Sequence, residues 1–152
     1  MLPLWVQWIQ AILLLIISCI GAWIAFRQAK IATAKLNLDL YEKRFDVFDA
    51  ARTLVAKFLR DANINTEDII TFNIGVAEAI FLFEPEVKNY LDELRKKAAA
   101  LHTKTEQLRA LSDKDRRRDR LIDEIANLEQ DFATEYERLI AVFKPYLKLG
   151  AI

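Results

Sequence analysis

The stretch LWVQWIQAILLLIISCIGAWIAF, Leu4 to Phe26, decides how the rest of this chain is read. Its 23 residues include no Asp, Glu, Lys, Arg or His. A helix needs about 20 apolar residues to cross roughly 30 Å of hydrocarbon, so the stretch predicts a membrane span. Gln7, Gln10, Ser18 and Cys19 are its polar interruptions, and Trp5, Trp8 and Trp23 sit near its two ends. Amphipathic rings favour the headgroup layers, which fits that placement. No Lys or Arg comes before the span, whereas Arg27, Lys30 and Lys35 follow it. Basic flanks stay cytoplasmic, so the N-terminus is expected outside and the C-terminal part in the cytoplasm. A cleaved signal peptide would want a basic beginning and a shorter apolar run. Ile16-Ile17-Ser18-Cys19 is faintly like a lipoprotein processing box, but the apolar run continues through Ile20 and Ile24, which suits an uninterrupted span.

Beyond the span, composition narrows the fold. The 152 residues carry 22 Lys and Arg, 22 Asp and Glu, one His, one Cys, three Gly and three Pro. A lone Cys makes no internal disulfide and a lone His supplies no His pair for zinc, so disulfide scaffolds and His-rich metal centres are excluded. So few turn residues argue against an all-β chain. The expected fold is all-α: an N-terminal transmembrane helix in residues 1–29, continuing into a cytoplasmic helical bundle in residues 30–152 that ends in an antiparallel helix hairpin.

The helices follow from apolar spacing. No Gly or Pro falls between Gly21 and Gly75, and Tyr41, Phe45, Phe48, Val55, Phe58 and Leu59 recur at helical intervals, so the span is expected to run on to about residue 60. Asp61 to Asn65 is a turn, with Asn65 or Thr66 capping a second helix whose first turn carries Glu67 and Asp68. That helix is expected to reach about Phe81. Its apolar residues cover more than one face, which points to the centre of the soluble core or to an assembly interface. Pro85 suits the first turn of a third helix, with Val87, Leu91, Leu94, Ala98, Leu101, Leu108 and Leu111 as its stripe. Ser112 is a candidate cap for a fourth, carrying Leu121, Ile125, Leu128, Phe132, Leu139 and Phe143. The last two stripes should pack together as the hairpin, and Pro145 should end the fourth helix.

One face of the span is small and polar. Gln7, Leu14 and Gly21 are spaced by seven, as are Ala11, Ser18 and Ala25, and the two series interleave; Gln10 lies close by. In lipid such a face lets backbones approach and hydrogen-bond, so it reads as a self-association seam of a homo-oligomer. A polar Gln at membrane depth also suits a pore lining. The plainer reading places both Gln in the outer headgroup region and treats the small residues as ordinary for a span.

Charge is segregated along the remainder. Residues 61–87 hold six Asp and Glu with no Lys or Arg, while residues 88–120 hold eleven Lys and Arg against six Asp and Glu. Arg116, Arg117, Arg118 and Arg120 form the sharpest cluster. Guanidinium forks match phosphates, so this hairpin tip is the candidate site for an anionic ligand, a nucleotide or a nucleic acid. A solvated turn with local ion pairs is the alternative, favoured by Asp113, Asp115 and Asp119 and by the lack of interleaved aromatic stacking platforms. Catalytic motifs are missing: no Gly-rich phosphate loop, HExxH or GxSxG occurs, so no catalytic residue, metal site or cofactor is expected, and an enzyme is not. His102 reads as an ordinary interfacial side chain, and Glu78 as solvent-facing or ion-paired.

The stretches Lys35-Leu36-Asn37-Leu38-Asp39-Leu40-Tyr41-Glu42-Lys43-Arg44-Phe45 and Phe81-Leu82-Phe83-Glu84-Pro85-Glu86-Val87 resemble small bacterial membrane proteins with one span and a helical cytoplasmic domain. The similarity covers most of residues 30–145, and within that group it points to the membrane effectors of the two-gene Hailong antiphage system. The resemblance implies an oligomeric, channel-forming effector in the bacterial inner membrane, kept inactive by single-stranded DNA that a partner nucleotidyltransferase makes. It brings no ligand-contacting residue with it. The competing expectation is a non-conducting anchored scaffold that docks a protein partner.

Overall fold

The computed structural model describes residues 3–112 and 116–148, apart from the side chains of Leu4, Val6, Gln7 and Ala11, and every regular element among them is a helix. These are α1 (Leu4–Asp61), α2 (Thr66–Gly75), α3 (Ala79–Leu82), α4 (Pro85–Ala110) and α5 (Arg117–Phe143). The chain divides into two units, Met1–Asp39 and Leu40–Ile152.

The first unit is the early part of α1. It contains a stretch long and apolar enough to cross a membrane, and its described large apolar side chains, from Trp5 to Leu38, are all exposed. No packing among the described residues therefore accounts for their apolar character. Trp23 and Arg27 lie one turn apart, with the guanidinium 5.3 Å from the ring centroid, a cation–π contact at the end of the apolar run.

The second unit has a core of its own. Val47, Ala51, Leu54, Val55 and Phe58 of α1 join Val87, Tyr90, Leu91, Leu94, Ala98 and Leu101 of α4 and Phe132, Leu139 and Phe143 of α5 in one buried cluster. Rings stitch it together: Phe58 meets Phe132 at 4.7 Å, and Phe143 meets Phe48 and Phe83 edge-on at 5.5 and 5.2 Å. The α1 stripe is shifted from the predicted one. Val55 and Phe58 are buried as expected, but Phe45 and Leu59 are exposed, and Val47, Ala51 and Leu54 complete the buried side.

The predicted turn is present. α1 ends at Asp61, Ala62 takes a left-handed φ of 47°, and Asn65 caps α2 through a reciprocal box with Asp68. Pro85 opens α4 as expected. The hairpin is antiparallel, because Glu93 pairs with Arg138, Lys97 with Glu135 and Lys104 with Glu124. After α5, the tail folds back: Tyr146 packs edge-on to Phe83 at 5.3 Å, and the Arg44 side chain donates to the Leu82 carbonyl at 3.1 Å.

Three expectations are corrected. The second helix does not reach Phe81; it stops at Gly75, and a turn through Val76 to Glu78 separates it from the short α3. At Gly75 the backbone comes so close to α1 that an added Cβ would stand 2.5 Å from the Ala50 Cβ, so tertiary approach sets the residue, and the helix ends there with the Val76 amide donating to the Phe72 carbonyl. Nor is that segment the centre of the core, the first of the two places expected for it. Phe72 and Ala79 are buried, but Ile70, Ile74, Ile80 and Phe81 are exposed, Ile74 by 73% and Phe81 by 86%. Ser112 is not the α5 cap either; Arg116 occupies that position with no side-chain cap bond, and residues 113–115 lie outside the described ones.

Candidate functional site

Two places carry the sequence-based expectations, and each can be built up from its helix. On the span, Gln10, Leu14, Ser18, Gly21 and Ala25 are exposed, while the side chains of Gln7 and Ala11 lie outside the described ones. The Ser18 hydroxyl donates to the Leu14 carbonyl at 2.7 Å, so its donor is satisfied within its own helix. A Cβ added at Gly21 would meet nothing within 4 Å, so no neighbour among the described residues requires a glycine there.

At the hairpin tip, consecutive residues of a helix point about 100° apart, which spreads the Arg cluster around α5. Arg117 and Arg120, three residues apart, line one cavity of about 470 Å³ with Gln107, Ala110, Leu111, Leu121 and Glu124. Arg116 and Arg118 are not among its described lining residues. Within the cavity Glu124 accepts from Arg120 at 3.0 Å and pairs with Lys104 of α4. These hydrogen bonds, that from Lys104 foremost, hold the Glu124 carboxyl below its usual value. The tip is therefore partly neutralised by its own carboxylate, and Arg117 and Arg120 share their cavity with the apolar Ala110, Leu111 and Leu121.

The sign of the Glu124 shift fixes its pH dependence. A depressed folded-state value means that whatever stability the cluster contributes is present above the ordinary carboxylate value of 4.5 and is lost as pH falls through the folded-state value. Replacing Lys104 or Arg120 by Gln is expected to move the Glu124 midpoint upward, Lys104→Gln more than Arg120→Gln, in a side-chain NMR titration. A midpoint unmoved by both would remove the pairing as its cause.

Sequence reading missed an ionic network between α4 and α5 that centres on one buried carboxylate. Glu135 is only 2% exposed, yet its Oε1 is paired with Lys97 and lies 3.6 Å from Arg138, which itself donates to Glu93 at 2.7 Å and stacks over the Tyr90 ring at 5.2 Å. The Glu93 hydrogen bond raises the Arg138 guanidinium further, and burial, reinforced by Glu135, pushes the Tyr90 hydroxyl up. Glu135 Oε2 is buried with no hydrogen-bond partner. A signal was available: Glu135 falls between Phe132 and Leu139 on the buried stripe, where an isolated carboxylate demands a partner. His102 proves interfacial, as expected. Its Nδ1 lies 3.0 Å from the Ile64 carbonyl and its Nε2 3.0 Å from the Thr66 hydroxyl. Because a carbonyl only accepts, Nδ1 carries the proton and ties α4 to the turn that begins α2. Glu78 is exposed and 3.6 Å from Lys43.

No group of His, Cys, Asp and Glu suited to a metal ion occurs among the described residues. No protein-family model matches the chain, and no curated protein or solved structure is significantly similar to it.

Proposed function

We propose that this chain is a homo-oligomeric, single-span effector of the bacterial inner membrane, with its N-terminus outside, whose spans form a pore or channel through the face containing Gln7, Gln10, Ala11, Leu14, Ser18, Gly21 and Ala25. The helical unit from Leu40 onward senses a cytoplasmic ligand and selects between assembly states. Single-stranded DNA, supplied by a nucleotidyltransferase partner in antiviral defence, is the ligand that the Hailong resemblance implies. The observation that carries this reading is the uncovered apolar stretch of α1: no described residue packs on it, and its small-residue face offers copies a close approach. Arg117 and Arg120 at their shared cavity are the anion contacts the geometry favours, with Arg116 and Arg118 adding charge nearby.

A second reading, a non-conducting anchored scaffold docking a protein partner, is favoured by two observations. Ser18 is satisfied within its own helix, and Arg120 is engaged by Glu124. Ion flux separates the two. The purified protein in liposomes is expected to pass ions under one ligand condition and not another, and Gly21→Leu or Ser18→Leu to abolish the flux and the growth arrest on expression. Flux absent under every condition with oligomers intact selects the scaffold. Changing the four Arg to Ala together is expected to weaken single-stranded DNA binding and flatten its salt dependence; an unaltered affinity removes them.

A further inference from the structure

The exposed side of α2 and the groove between α1 and α5 are matched in chemistry and in position. α2 runs antiparallel to α1, with Asp68 paired to Lys57 and Gly75 against Ala50. Ile70 and Ile74, one turn apart and exposed by 52% and 73%, therefore lie level with α1 residues between these two contacts, and Glu67 lies one turn further toward the end of α1. Glu67 makes no ion pair among the described residues. At that same level on α1, a separate groove of about 400 Å³ is lined by Arg52, Thr53, Ala56, Lys57, Arg60 and Tyr136. Ala56 and the Tyr136 ring give it apolar surface, and Arg52, Lys57 and Arg60 make it cationic. Arg52 and Arg60 hold Asp49 and Asp61 at the solvent-exposed surface, where such pairs are weak and readily exchanged for another carboxylate.

We propose that the α2 face of one chain, Glu67, Ile70 and Ile74, seats in the α1–α5 groove of a second copy. The inference rests on the self-associating reading above and names the surface that carries it in the helical unit. Charge selects the occupant: α2 carries Glu67 and Asp68 and no Lys or Arg, so two α2 faces offer each other no cation, whereas the groove offers Arg52 and Arg60. Level selects the geometry. A contact between two different faces at one height, made by copies of common polarity, repeats by rotation without rise and so closes a ring instead of growing a filament.

The test uses the full chain carrying Cys19→Ser, in detergent, with two differently tagged copies. One bears Ile70→Cys and the other Ala56→Cys. Oxidation is expected to join the two tags when both copies are present, and to join neither copy to itself. Independently, Glu67→Arg and Arg60→Glu are each expected to weaken association about tenfold, and together to restore it. Ile70→Cys joining to itself overturns the proposal in favour of a symmetric contact. An oligomer that forms with no cross-link and no charge rescue overturns it too, leaves the self-associating reading standing, and gives the face to another partner. A chain monomeric in every arm overturns both.

Discussion

Phe132→Ala is expected to remove about 3–5 kcal/mol from the stability of the helical unit, a large share of the 5–15 kcal/mol typical of a domain. Phe132 is fully buried and its ring lies 4.7 Å from that of Phe58, so truncation opens a cavity where α5 meets α1. Urea unfolding of the full chain in detergent, followed by helical circular dichroism, reads the loss; the three Trp all lie at positions 5–23 and do not report on this unit. Phe81→Ala is the control. At 86% exposure it is expected to change stability by less than about 0.5 kcal/mol, although both positions are the same residue type. A loss at Phe132 no larger than that at Phe81 would contradict the packing described here.

Lys97→Met is expected to cost about 3 kcal/mol, because it strands a buried carboxylate. Glu135 would keep only Arg138, at 3.6 Å, while its Oε2 already has no partner. Changing both, Lys97→Met with Glu135→Leu, should recover most of the loss, since an apolar pair of similar volume needs no hydration. If the double variant were no better than Lys97→Met alone, the stem of Lys97 rather than its charge would be what α5 packs against.

Much of the architecture was legible because it is helical and local. The turn at Asp61 to Asn65, Pro85 at the start of α4, and the paired stripes of α4 and α5 all lie within a few residues of the signals that mark them. What escaped depends on residues far apart in the chain. The end of α2 at Gly75 reflects the approach of Ala50, 25 positions earlier, which apolar spacing alone does not encode. The setting of Glu135 depends on Lys97, 38 positions earlier and across the hairpin. At the candidate site the sequence supplied an Arg cluster as a run, whereas helical rotation divides that run and brings only Arg117 and Arg120 to one cavity. On the span, Ser18, Gly21 and Ala25 are exposed, and nothing among the described residues tests the predicted seam.

The contact between Gly75 and Ala50 restricts how this chain can drift. A methyl group at position 75 is tolerable only if the one at position 50 is given up, since the two would otherwise occupy the same space, 2.5 Å apart. Each of the two single exchanges is a loss by itself: one collides, and the other places a flexible residue in the middle of a long helix. Related chains should therefore hold small residues at both sites or exchange them in tandem, a mutual dependence that would mark the crossing of α1 and α2 even where little else of the sequence persists.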